Sequence, residues 1–232
     1  QFFPPSDRPE LMLQLVLPQN ASIHATDATA KEVEKILAAD SDVVDWSFYV
    51  GSDAIRFYLP MDIQPPAPFR AQAVVIAKSV DARDGLQERL QKKLDENFPN
   101  VIARLSPLEM GPPVGWPVQY RVSGPDPAGV RDVAWKVADV LDDVRGVINP
   151  NLDWNEPIRK VVIDVDQDRA RLVGLNSAVI GRTLFATASG LPVTQVRDSI
   201  YLVNVVARAA AEERASIDTL RSLQIPVGPN RT

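Results

Sequence analysis

GPPVGWPVQYRVSGPD, residues 111–126, decides how the rest of the chain is divided. Pro112, Pro113 and Pro117 each hold φ near about −65° and lack a backbone donor, so neither a helix nor a central strand runs through them. Gly111 and Gly115 let the chain change direction. Val118–Val122 then reads as a strand, and Ser123-Gly124-Pro125-Asp126 as a turn into a helix. The stretch therefore reads as a stiff joint, with Gly111, Pro112, Pro113, Gly115 and Pro117 as hinge residues between two lobes.

Upstream, residues 1–110 form the first expected domain. The proline-rich opening, Gln1 to Pro9, reads as an extended lead-in, and Leu11–Leu17 as a strand covered on most of its surface. Thr29 with Glu32 three residues on suggests a capping box, a start at Thr26 being the alternative, and Val33, Ile36 and Leu37 make an apolar stripe at helical spacing. Val43–Val50 and Ala54–Leu59 read as strands around a Gly51-Ser52-Asp53 turn. A proline-broken loop, Pro60 to Phe69, precedes a further strand at Ala71–Ala77. Leu86, Leu90, Leu94 and Phe98 recur every fourth residue, which predicts a helix over 81–97, and Val101–Leu105 closes the lobe. The order reads as β-α-β-β-α-β, a ferredoxin-like α+β sandwich.

Downstream of the 111–117 joint the pattern begins again over 118–165. Asp126 is an N-cap with Pro127 at the first helical position, where its missing donor costs nothing. Val130, Val133, Val137, Val140 and Val144 step along one face up to Gly146, and Lys160–Val165 reads as a strand. This β-α-β unit is half of the first lobe's pattern and buries little core alone. Over 166–232 the sequence predicts a short helix capped by Asp166, another from Asn176 or Ser177, and a hairpin of Val193–Val196 with Ile200–Val206. A brief helix over Ser216–Leu223 and a strand start at Ile225 follow. Both ends read as cuts within a longer chain.

Composition excludes several classes. With 232 residues, 45% hydrophobic and 24% charged, the chain can bury a real core. Its formal charge of −5 and lack of a basic run argue against nucleic acid as a partner. Cysteine is absent, which removes disulfide and thiolate chemistry. No apolar run approaches the ~18 to 20 residues of a membrane helix.

Individual motifs point away from catalysis. Asp164, Asp166 and Asp168 have the opening spacing of a calcium loop, but Arg169 and Leu175 stand where Gly and Glu belong, so helix capping suffices. His24 is the only histidine, which leaves no nucleophilic triad and no histidine-based metal site. Phosphate-loop and nucleophile-elbow motifs are missing. The expectation is no enzyme and no cofactor. Trp46, Phe48, Phe57 and Tyr58 sit on the first lobe without an RNA-binding motif. Strand alternation puts about half of them in the core, leaving the rest for an apolar cleft beside the proline-broken loop. Met12, Met61 and Met110 are the only methionines. Core filling is their ordinary role, and converging on a soft ion such as Cu(I) is the alternative.

ELMLQLVLP (10–18), RFYLP (56–60), GPPVGWPVQYRVSGPD (111–126), LDWNEP (152–157) and VDQDRARLVGL (165–175), with the opening QFFPPSDRPE, resemble the second large periplasmic loop of resistance–nodulation–division efflux transporters of the acriflavine-resistance type. The resemblance runs in order along essentially the whole chain. It implies a ferredoxin-like porter subdomain, then the first half of a second porter subdomain, then part of a docking-type domain. It implies a substrate-capturing role in a proton-driven pump at the periplasmic face of the bacterial inner membrane, with hydrophobic or amphiphilic small molecules as cargo. Homotrimeric assembly with a periplasmic adaptor and an outer-membrane channel follows from the same likeness. By that likeness Phe48 and Val50 belong to a pocket wall, Phe57 and Tyr58 to an aromatic switch loop, and Val74, Ile102 and Arg104 to cleft-facing strands. Met12, Met61 and Met110 approximate the methionine trio of the copper- and silver-exporting branch, the alternative cargo. A free-standing pair of ligand-sensing domains is the third reading.

Overall fold

The computed structural model describes residues 6–112, 115–116, 118–147, 149–154, 157–158, 160–214 and 217–225. Pro113 and Pro117 of the joint, the 1–5 lead-in and 226–232 lie outside the described residues. The chain forms two compact units, 1–159 and 160–232.

The first unit runs β1 (Glu10–Val16), α1 (Ile23–Ala38), β2 (Val43–Val50), β3 (Arg70–Ala77), α2 (Val80–Asn97), β4 (Ile102–Pro107) and α3 (Pro127–Asp142). The four strands make one antiparallel sheet in the order β2-β3-β1-β4. The α+β class and the β-α-β-β-α-β order are those expected. Side chains on each strand alternate between faces. One face carries Leu11, Leu13 and Leu15 of β1, Ala71, Ala73 and Val75 of β3, and Ala103 and Leu105 of β4. Against it pack Val33 and Leu37 of α1 and Leu86, Leu90 and Leu94 of α2, all but sealed from water.

Several local readings are corrected. Helix α1 is capped by Ser22 and not by Thr29: the Ser22 hydroxyl accepts from the Ala25 amide at 3.2 Å. Thr29 lies inside the helix, where its hydroxyl donates to the Ala25 carbonyl. Ala54–Leu59 is not a strand but part of a loop, 51–69, that crosses the sheet's second face. Val118–Val122 and Lys160–Val165 form no strand, and Val118, Tyr120, Val161 and Val162 are exposed. A strand is held by its neighbours' hydrogen bonds, and no strand among the described residues pairs with either segment. Helix α3 keeps its expected start, with Asp126 accepting from Ala128 and Gly129, but ends at Asp142, short of Gly146. Of its residues only Ala138 is buried.

The end of the lead-in is clamped rather than loose. Buried Arg83 donates to the carbonyls of Ser6 and Arg8, the latter at 2.8 Å. The Ser6 amide donates to the Leu108 carbonyl at 3.0 Å. At the outer edge of β4, the side chains of Gln87 and Gln91 take the places of a fifth strand. Their amides donate to the Leu105 and Ala103 carbonyls, and the Gln91 carbonyl accepts from the Leu105 amide. Satisfied edge groups are poor templates for unwanted strand pairing.

The second unit contains α4 (Gln167–Leu172), α5 (Ser177–Ala188), the hairpin β5 (Leu191–Asp198) and β6 (Tyr201–Ala207), α6 (Ala211–Arg214) and α7 (Ile217–Arg221). Asp166 caps α4 by accepting from the Arg169 amide at 3.0 Å, and Asn176 caps α5. The hairpin is longer than the sequence suggested, and it turns at Ser199-Ile200, with Ser199 at φ 54°.

Candidate functional site

The candidate site is the sheet face turned away from α1 and α2. Strand register places its side chains in rows. Arg104, Gln14, Gln72 and Tyr49 form a polar row across all four strands, and Ser106, Met12, Val74 and Ser47 form the next. Val16 stands between Ile102 and Arg70.

The loop 51–69 lies over this face and is pinned to it. Gly51 turns the chain at φ +78°, a conformation favouring glycine, and its amide donates to the Arg70 carbonyl at 2.8 Å. The buried Gln72 side chain accepts from the Ala54 amide at 2.8 Å. Asp53 accepts from the Gln64 amide at 2.7 Å, and the Ala67 amide donates to the Gly51 carbonyl. From the loop, Ala54 and Met61 sink into a buried cluster with Met12 and Leu108, against which Tyr49, Tyr58 and Val74 pack. Four large apolar side chains of the loop are exposed: Ile55 (82% exposed), Leu59 (86%), Phe57 and Ile63. The rings of Phe57 and Tyr58 meet at 5.3 Å, and the Arg8 guanidinium lies 5.9 Å from the Phe57 ring.

Charge gathers at one end. Arg104 donates to Glu109 at 3.1 Å and to the Gly115 carbonyl at 2.5 Å, and its guanidinium stands 5.7 Å from the Trp116 ring centre. Burial, then the Glu109 charge, pushes the Tyr58 phenol above its ordinary range. Tyr58 is therefore a neutral hydroxyl at physiological pH.

The seven expected wall residues do not share one surface. Val74, Ile102 and Arg104 are on the open face, with Phe57 and Tyr58 on the loop above it. Phe48 and Val50 are on the opposite side, packed against the core beneath the helices, because residues two apart on β2 face the same way. Of the methionines, Met12 (5% exposed) and Met61 (2%) share the buried cluster, whereas Met110 is 60% exposed and outside it. Of the joint, Gly111 is buried, Pro112 is exposed and Gly115 adopts φ +70°. Gln72, Glu109 and Trp116 were not singled out by the sequence. A glutamine inside the otherwise apolar Ala71–Ala77 run was the one visible signal.

The family model for AcrB/AcrD/AcrF matches residues 1–230. The chain belongs to the AcrB/AcrD/AcrF family. Its members are transporters of the RND type rather than enzymes. Among solved structures, this family member is similar to a heavy metal efflux pump in two crystal forms. The TM-scores are 0.73 and 0.72 at 21% identity, covering 97% and 98% of this chain. The chain spans 24% of the length of those pump chains. At that identity the likeness concerns the fold. No curated protein matches the chain.

Proposed function

We propose that this chain is the periplasmic, substrate-contacting portion of a proton-driven exporter of hydrophobic or amphiphilic compounds at the inner membrane. The parent acts as a homotrimer with a periplasmic adaptor and an outer-membrane channel. The observation that carries the reading is the loop 51–69, which is fastened by Ala54 and Met61 while it holds Ile55, Phe57, Leu59 and Ile63 out to solvent. Exposed apolar groups concentrated on one segment mark a surface that meets apolar partners. Val74, Ile102 and the polar row beneath supply the floor, and the Gly111–Pro117 joint supplies the movement that admits and releases cargo. Membership of an RND transporter family supports export as the outcome. Dye efflux by cells making the whole pump tests this. Alanine at Ile55, Phe57 and Leu59 together reduces efflux and resistance, and unchanged efflux at equal expression removes the proposal.

The second reading is export of a soft metal ion. It is favoured by the shared burial of Met12 and Met61 and by the structural likeness to a heavy metal efflux pump. Titration with Cu(I) separates the two: binding that is lost on Met→Leu at positions 12, 61 and 110 supports the metal, and absence of binding removes it.

A further inference from the structure

We propose that Arg104 is a positioning residue, a latch that holds the Gly115-Trp116 segment of the joint against the sheet. The inference rests on the reading of 111–117 as the moving joint, and it reassigns Arg104 from cargo contact to control of that joint. Three contacts converge on one guanidinium. It donates to the Glu109 carboxylate at 3.1 Å and to the Gly115 carbonyl at 2.5 Å, and it stands over the Trp116 ring at 5.7 Å. Both ion-pair side chains are mostly buried, which strengthens the pairing relative to a surface pair. The planar fork of arginine suits this triple task, whereas lysine supplies only a point charge. Gly115 contributes its positive φ, a conformation that a residue with a side chain rarely adopts.

The latch also links the joint to the loop. Arg104 begins the polar row that passes through Gln14 to Gln72, and Gln72 holds Ala54 of the loop. Glu109, the acid partner of Arg104, follows Leu108, which shares the buried cluster with Met61. Joint and loop therefore rest on neighbouring residues of the same face.

The test uses the 232-residue chain with Trp46, Trp135 and Trp154 replaced by Phe, leaving Trp116 as the only indole. Acrylamide quenching and the emission maximum then report on Trp116 alone. Arg104→Ala and Glu109→Gln raise quenching and shift emission to the red, and Arg104→Lys falls between them and the parent. Quenching unchanged in Glu109→Gln and Arg104→Lys, with circular dichroism showing a folded chain, overturns the latch even where Arg104→Ala fails to fold. The optical signal is independent of transport. A lost latch with normal dye efflux in the whole pump refutes the role of the joint in transport and leaves the latch standing.

Discussion

Replacing Met61 by alanine tests whether the loop is a separately fastened layer. Met61 is 2% exposed, and its side chain fills a space bounded by Met12, Ala54 and Leu108. Truncating a buried methionine costs about 2–5 kcal/mol, and the low end applies where surroundings can collapse, as a loop can. About 2–3 kcal/mol, at about 1.4 kcal/mol per factor of ten, corresponds to roughly 30- to 150-fold more frequent opening. Because the helix-side core of leucines does not include Met61, that change belongs to local opening of the loop and not to the whole lobe. Hydrogen exchange read by mass spectrometry measures it directly. Peptides covering Ala54, Gln64 and Ala67, whose amides are bonded within the loop or to Gln72, exchange faster by that factor. Peptides from β1 and β3 stay protected. Met61→Leu, which conserves volume, moves exchange far less. Equal acceleration in loop and sheet, or none in the loop, refutes the reasoning.

Three further outcomes follow from local geometry. The Arg89 guanidinium holds the Asp40 carboxyl below its usual range, so the pair stabilises above the ordinary carboxylate pKa and the gain is lost as pH falls through the lowered value. Arg89 stays half exposed and water screens the pair, so Asp40→Asn costs only about 1 kcal/mol near neutral pH, and urea melts of variant and parent converge in acid. Gly190 sits at φ +93°, where an added Cβ would meet Val206 at 2.6 Å, so Gly190→Ala costs roughly 1–2 kcal/mol or more and weakens the β5–β6 hairpin, as exchange of hairpin amides shows. Ser22→Ala removes the α1 cap and lowers stability by about 1 kcal/mol in the same denaturation assay, whereas Thr29→Ala, at a half-buried position inside the helix that caps nothing, changes it less.

What the sequence made legible was whatever depended on neighbours close along the chain. Leu86, Leu90 and Leu94 announced α2 by spacing, and Asp126-Pro127 announced the start of α3. The nearly unbroken apolar run Leu11–Leu17 announced β1 as a strand covered on most of its surface, with Leu11, Leu13 and Leu15 in the helix-side core and Met12 in the cluster under the loop. What depended on partners far away was not legible. Ala54–Leu59 has strand composition, but its backbone is engaged by a side chain from β3, through Gln72, and not by a strand ladder. Val118–Val122 and Lys160–Val165 have strand composition without a partner strand among the described residues. For the site, aromatic content was visible, but the face each ring takes depends on register, and that placed Phe48 with the core and Tyr49 on the open side. The pairing of Arg104 with Gly115 and Trp116 brings together residues that no local pattern connects.

The absence of cysteine from the chain makes one experiment direct. A single Leu59→Cys, on the exposed side of the loop, is labelled with a maleimide with and without a saturating amphiphilic dye. If the loop receives apolar cargo, the dye slows labelling at residue 59 and leaves a control cysteine placed at the exposed Lys92 unaffected. Labelling at residue 59 that proceeds at the same rate with and without dye contradicts that claim.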